Sequence, residues 1–283
     1  MMTRRERLRA ILTGGECVHP GSVFDPVSAR IAEDLGFELG MFAGSTASLA
    51  ILGSPDVILI TLTEFAEQCR RICRAGALPI LVDADHGYGN ALNVMRTVQE
   101  MEVAGIAGLT IEDTDLPRGY GDGRPRVLPI AEGAGKIRAA LSARRDPDLV
   151  IVGRTSAMSI TGTEDAVRRA GAYAEAGADA LFFTGITSPE QLHAIRAVTE
   201  LPIILGGGDA LGDRAELAAL GVRIALQGHQ PIMAGFQAVY ETLKALREGV
   251  PPKQLRGVPD ADFMRRVTRE ADVAKAMTDF LGG

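Results

Sequence analysis

One pattern repeats along nearly the whole chain and constrains the fold more than any motif does. A short apolar run is followed by a loop carrying Gly, Asp or Ser, and then by an amphipathic helix that ends in small residues. The runs fall at residues 21–24, 39–43, 78–82, 108–111, 149–152, 180–183, 203–205 and 224–226. They are short, apolar and often β-branched, as strands buried on both faces of a parallel sheet must be. Helical periodicity separates them, for example over 63–75, 91–104, 164–176, 189–199 and 214–220. The junctions "AGIAG", "AGADA" and "LGVRI" put glycine where a helix ends in a left-handed residue. Eight alternating units with tight returns predict a closed (β/α)8 TIM barrel, with an open doubly wound sheet as the alternative. The 283 residues are then one barrel domain. A C-terminal helical extension over 256–283 follows, with a further helix at 260–280 whose apolar positions are Phe263, Met264, Val267, Val273, Ala274 and Met277. That face must pack on its own barrel or on a neighbouring subunit.

Composition removes several classes of function. A formal net charge of −6 offers no basic surface for nucleic acid or an anionic membrane. The start, "MMTRRERLRAILTGGE", is basic but has no apolar segment and no small-residue cleavage site. No apolar run approaches the roughly 20 residues of a membrane span. Cys17, Cys69 and Cys73 do not form a disulfide framework. Cys69 and Cys73, four apart on an expected helix beside Arg70, Arg71 and Arg74, lack further metal ligands and read as packed thiols. A cytoplasmic protein is expected.

In a barrel the loops after the strands build the active site. Those positions carry Ser45, Thr46 and Ser48, then Asp56, then Asp83 and Asp85, then Glu112 and Asp113, then Arg154, Gly206–Gly208 and His229. Four carboxylates (Asp56, Asp83, Asp85 and Glu112) at one end of adjacent strands need a counter-charge to stay ionised together. A hard divalent cation supplies it, and all-oxygen ligation favours Mg²⁺ or Mn²⁺ over zinc. The competing reading caps helices or pairs these acids with basic side chains. Asp83 and Asp85 share a face if the strand continues that far. Arg154 at a strand end faces the acids and can clamp a substrate carboxylate. His229 reads as a substrate or proton-transfer group, and otherwise as a hydrogen-bonded core residue. His19 and His193 have weaker cases, and His86 is a loop residue or an orienting group. Ser45 and Thr46 precede a helix-like segment whose backbone N–H groups can form an anion pocket. The three glycines Gly206–Gly208 are an alternative phosphate cradle, without a basic residue beside them. Residues 116–129, "LPRGYGDGRPRVLP", are too long for a simple connection and read as a lid.

The segments "SVFDPVSARIAEDLGFELGMFAGSTAS", "DADHGYGN", "TIEDT", "KIRAAL" and "GRT" resemble the isocitrate lyase and phosphoenolpyruvate mutase superfamily, and within it the oxaloacetate decarboxylase branch. The resemblance spans about residues 17–248. It implies a helix-swapped homotetramer (a dimer of dimers) of (β/α)8 barrels, with Asp83 as direct ligand of Mg²⁺ and Asp56, Asp85 and Glu112 holding metal-bound waters. It also implies substrate contacts from Ser45, Arg154 and His229; with Thr46 of the anion pocket these are the expected substrate-binding residues, and Arg154 and His229 the expected catalytic groups. Lyases of this superfamily carry a cysteine-bearing "KKCGH" lid; the lid here has no Cys, Lys or His, which argues against that route and against mutase chemistry. The decarboxylase branch has a Tyr after strand 7 and an Asn or Asp two residues after the arginine. Gly206–Gly208 and Ser156 stand there instead and make a roomier, less polar pocket.

The expected function is therefore metal-dependent decarboxylation of a 2-oxo dicarboxylic acid such as oxaloacetate, through an enolate stabilised by the metal. The alternatives are a C–C lyase or hydrolase acting on a 2-substituted malate, and a non-catalytic oxo-acid-binding barrel. His229, Tyr88 and a metal-bound water are the candidates for protonating the enolate.

Overall fold

The computed structural model describes residues 2–121, 123–207 and 211–282. It divides into two compact units, residues 1–228 and 229–283. The first is the expected TIM-barrel-like α/β fold. Its strands are β1 (Gly21–Ser22), β2 (Gly40–Phe42), β3 (Ile80–Asp83), β4 (Gly108–Glu112), β5 (Val150–Thr155), β6 (Ala180–Phe183), β7 (Ile203–Leu205) and β8 (Val222–Ala225). They run parallel in the order β1 to β8. The curled sheet meets itself just ahead of β1: Val18 bridges to Ile224, and its N–H donates to the Arg223 carbonyl at 2.9 Å.

Strand alternation sorts the side chains into two cores. Val150, Val152, Leu81, Met41, Phe182 and Ile204 belong to one cluster, inside the barrel. Ile151, Leu109, Ile111, Val82 and Phe183 belong to another, which packs under the helices. The barrel floor is closed by a helix not anticipated from the sequence, Arg4–Thr13, started by a capping box between Thr3 and Glu6. Its Leu8 and Leu12 join the inner cluster, and burial of each contributes about 1.5–3 kcal/mol. Gly108 is required there, because a Cβ would lie 2.8 Å from both Leu8 Cδ2 and Val150 Cβ.

The second unit contains the helices Gln230–Arg247, Ala261–Thr268 and Glu270–Leu281. The single helix expected over 260–280 is two, because Arg269 turns into the left-handed region at φ 59°. Among the described residues no helix is long and apolar enough to cross a membrane.

Candidate active site at the C-terminal ends of the strands

The inner face of each strand, followed upward, leads from apolar core to chemistry. On β3 the inward residues are Leu81 and then Asp83; on β5 they are Val150, Val152 and then Arg154. On β4 the outward Leu109 and Ile111 leave Thr110 and Glu112 on the inner face. The register pairs Asp83 with Thr110, Glu112 with Arg154, and Arg154 with Phe182. Four polar side chains therefore meet because strand parity and register place them there.

Asp83 is fastened on both oxygens: the Thr110 hydroxyl donates to Oδ1 at 2.7 Å, and Arg154 Nη1 forms an ion pair with Oδ2. Arg154 Nε lies 3.6 Å from Glu112 Oε2, an ion-pair distance too long for a hydrogen bond, and the guanidinium stacks over the Phe182 ring at 5.3 Å. Burial alone would push the Arg154 pKa down; Asp83 and Glu112 outweigh it and hold the cation. Thr114 donates to Glu112 Oε2 at 2.7 Å.

Asp85 reaches the site by a route different from the one expected. β3 ends at Asp83, so Asp85 is not two along a continuing strand; it turns with φ 47°. That rare conformation for a non-glycine residue costs about 1–3 kcal/mol and is held by its surroundings. The Glu112 N–H donates to the Asp85 carbonyl at 2.8 Å. The Asp85 carboxylate is buried, its Oδ2 has no hydrogen-bond partner, and its pKa is raised by burial and then by the charges of Asp83, Glu112 and Asp56. Glu112 is raised as well, by burial first, against the pull of Arg154. Gly44 makes room for this carboxylate: a Cβ there would sit 2.5 Å from both Asp85 oxygens. Asp56 lies on an exposed loop, and its charge reaches Asp85 and Tyr88.

Ser45 and Thr46 lie in the short helix Gly44–Ala47. The Thr46 hydroxyl is turned back on its own chain, donating to the Ala43 carbonyl at 2.8 Å. What Thr46 can offer a ligand is therefore its backbone, not its side chain. His86 is buried and held neutral, its pKa pushed down to about 4 by burial and by Lys136, whose Nζ donates to the His86 carbonyl at 2.8 Å. Asp113 points to the opposite side of β4 from Glu112, as successive strand residues do, and pairs with Arg169 at 2.8 Å. Lys136, Arg169, Thr110 and Thr114 were not singled out from the sequence; strand parity on β4 was the signal available for Thr110. His229, four residues beyond β8, opens the second unit at the start of the helix Gln230–Arg247. Gly206 and Gly207 follow β7, and Gly208 lies outside the described residues, so the phosphate-cradle alternative falls partly beyond them.

The donor set suits a hard divalent cation: oxygen atoms only, with a buried carboxylate oxygen left without a partner among like charges. Among the described residues no group of three or more His, Cys, Asp or Glu side chains forms a ready-made cage.

Residues 8–247 match the family model described as phosphoenolpyruvate phosphomutase. The chain belongs to this family, within the phosphoenolpyruvate mutase and isocitrate lyase superfamily. It is 64% identical over 280 residues to an oxaloacetate decarboxylase of Bradyrhizobium sp. (strain ORS 278), covering 99% of this chain and 97% of the relative. It is 63% identical over 281 residues to an oxaloacetate decarboxylase of Rhodopseudomonas palustris (strain BisB18), covering 99% and 98%. Among solved structures, a phosphonopyruvate hydrolase complex with oxalate and Mg²⁺ matches with a TM-score of 0.87 at 30% identity, covering 99% of this chain and 100% of that one. An oxaloacetate acetylhydrolase in complex with the inhibitor 3,3-difluorooxalacetate matches with a TM-score of 0.87 at 28% identity, covering 99% and 98%.

Proposed function

We propose that this chain decarboxylates oxaloacetate, or a close 2-oxo dicarboxylic acid, to a 2-oxo monocarboxylic acid and CO₂ at the Asp83 site, with Mg²⁺ or Mn²⁺ as cofactor. The observation that carries the reading is the near-full-length identity to proteins named oxaloacetate decarboxylase. The site chemistry agrees with it. Asp83 would hold the cation directly, and Asp56, Asp85 and Glu112 would hold its waters. When bound, the cation supplies Lewis-acid stabilisation of the negative charge that develops on the 2-oxo oxygen as CO₂ leaves, worth several kcal/mol. Arg154, already charged and fixed over Phe182, orients the retained carboxylate by its planar fork. The backbone N–H groups of Ser45 and Thr46, at the start of their helix, would be the donors to the oxyanion; each aligned donor contributes roughly 2.7–4 kcal/mol. Thr110 and Thr114 keep Asp83 and Glu112 from rotating away. Preorganisation of this kind supplies much of a barrier reduction without new contacts in the transition state.

The same reading assigns the second unit a role in assembly as a homotetramer. The helix Gln230–Arg247 leaves Met233, Phe236, Val239, Tyr240 and Leu243 exposed, an apolar stripe at helical spacing that a second copy of the chain would cover.

The test is to add oxaloacetate with Mg²⁺ and follow its loss against the spontaneous rate. Pyruvate formed in step with that loss, and abolished by chelator, is the expected result. Oxalate and acetate in place of pyruvate would move the assignment to C–C hydrolysis. No turnover with tight oxalate binding would leave a binding protein.

A further inference from the structure

We propose that Arg169 and Tyr173, on the outer helix Thr163–Glu175, are positioning residues that lock the stem of the 116–129 loop and, through it, the aim of Glu112. The inference rests on the decarboxylase reading for its kinetic consequence, although the lock itself is a matter of geometry. The loop rises from a short two-stranded stem. Thr114 bridges antiparallel to Val127, the Asp115 N–H donates to the Arg126 carbonyl at 2.9 Å, and the Leu128 N–H donates to the Asp113 carbonyl at 2.7 Å. One side chain of this stem, Thr114, is the group that holds Glu112 in the site.

A single guanidinium ties both legs of the stem together. Arg169, 4% exposed, uses Nη1 to reach Asp113 Oδ2 at 2.8 Å on one leg and the Leu128 carbonyl at 2.9 Å on the other. Its Nε is fixed by Asp165 at 2.8 Å. The Tyr173 hydroxyl donates to the same Asp113 oxygen. Space is reserved for this reach: a Cβ at Gly133 would lie 2.3 Å from the Tyr173 hydroxyl, and one at Gly153 would lie 3.2 Å from its ring. Gly133 sits inside the helix Ile130–Ala143 and Gly153 inside β5, where glycine otherwise weakens the element.

Stability is a poor explanation for such an arrangement. A buried ion pair is often matched or exceeded by an apolar pair of the same volume, whereas a fully engaged ionic network fixes one geometry. Here the fixed geometry is the spacing of two loop legs beside a carboxylate of the site. A lid that must open and close on substrate needs a stem that does neither.

Trypsin reads the stem with an internal control. The bond after Arg118 lies at the exposed crest, whereas the bond after Arg126 lies in the paired stem; Arg124 precedes Pro125 and is not cut. Tyr173→Phe and Arg169→Lys are compared with wild type and with Glu175→Ala, an exposed control at the end of the same helix. Cleavage after Arg126 relative to Arg118 should rise about tenfold in both test variants, with kcat/KM for oxaloacetate down about 10–100-fold and carried mainly by KM and by the Mg²⁺ requirement. Glu175→Ala should change neither. Should Arg169→Lys fail to fold, Tyr173→Phe, which keeps the ring in place, decides the matter. A folded variant in which either the cleavage ratio or kcat/KM stays at the wild-type value overturns the proposal. If wild type does not turn over oxaloacetate, the functional reading fails. The same variants are then judged on the cleavage ratio together with oxalate affinity, which the lock must also weaken.

Discussion

Gly44→Ala tests the site without removing a charge or a hydrogen-bonding group. The added Cβ would lie 2.5 Å from both oxygens of Asp85 and 2.8 Å from its Cγ. Ordinary contact begins near 3.4 Å, so the carboxylate must retreat by about 0.9 Å. It has little freedom to do so, since Asp85 is 4% exposed and its backbone is held at φ 47°. A misplacement of roughly 1 Å costs about 100-fold in rate, or about 2.7 kcal/mol of transition-state stabilisation. The fold should not share this loss. Gly44 has ordinary negative φ at the first position of the helix Gly44–Ala47, so alanine fits its backbone without strain. The expected outcome is kcat/KM for oxaloacetate down about 100-fold, a raised Mg²⁺ requirement, and a Tm within a few degrees of wild type. Steady-state assays across a Mg²⁺ series, with thermal melts of the same samples, make the comparison. Activity within about threefold of wild type at every Mg²⁺ concentration would refute the placement of Asp85 in the site.

Three further outcomes follow from the geometry. Asp83→Ala should abolish metal-dependent turnover, and chelation of wild type should have the same effect; a variant that keeps full activity in chelator would sink the mechanism. Thr110→Val removes the 2.7 Å hydrogen bond to Asp83, a bond to a charged group worth about 1.5–3 kcal/mol, and should weaken Mg²⁺ activation roughly tenfold or more. Asp165 bears on pH stability. Burial raises its pKa, but hydrogen bonds from Thr161, Arg169 and Arg168 outweigh that and hold it at about 2. Its unfolded value is about 3.9, so its contribution is complete above about pH 4 and is lost as pH falls toward 2. Urea unfolding across that window should show a shallower acid loss in Asp165→Asn; an unchanged slope would contradict the assignment.

How much of this was legible in the sequence depends on what bounded each element. Ala180–Phe183 and Ile203–Leu205 are found where expected because Gly, Asp and Pro fence their apolar runs. Ala91–Ala104 is bounded by the Asn90 cap and the left-handed Gly105. β5 runs three residues past its apolar stretch, to Thr155, because Gly153 and Arg154 stay in register with β4 although neither looks like a strand residue. The opposite error occurs at β1, where four suitable residues yield a pair. The break at Arg269 has no sequence breaker to announce it. Asp83, Glu112 and Arg154 could be read from strand ends alone, since parity continues the inner face. Asp85 lies near them for a reason that no periodicity encodes, a turn supported by the Glu112 N–H and by the absence of a side chain at Gly44. Arg169 and Tyr173 looked like ordinary helix residues four apart, because their partners lie on a strand end and a loop stem distant in the chain.

β4 shows why the site and its support are inseparable. Along this strand and the residue after it, Thr110 and Glu112 face the Asp83 site, while Leu109, Ile111 and Asp113 face the helices. The inward set orients a carboxylate and supplies another; the outward set anchors that strand to the helix Thr163–Glu175 through Arg169 and Tyr173. A slip of one residue in register would exchange the two sets completely, turning Asp113 inward and Glu112 toward the helices, away from Asp83 and Arg154. The apolar pattern resists such a slip, because it would also drive Leu109 and Ile111 out of the packed layer they share with Val98 and Met101. The core residues that look least connected to chemistry thus determine which of two adjacent acids, Glu112 or Asp113, lies beside Asp83 and Arg154 and which anchors the frame.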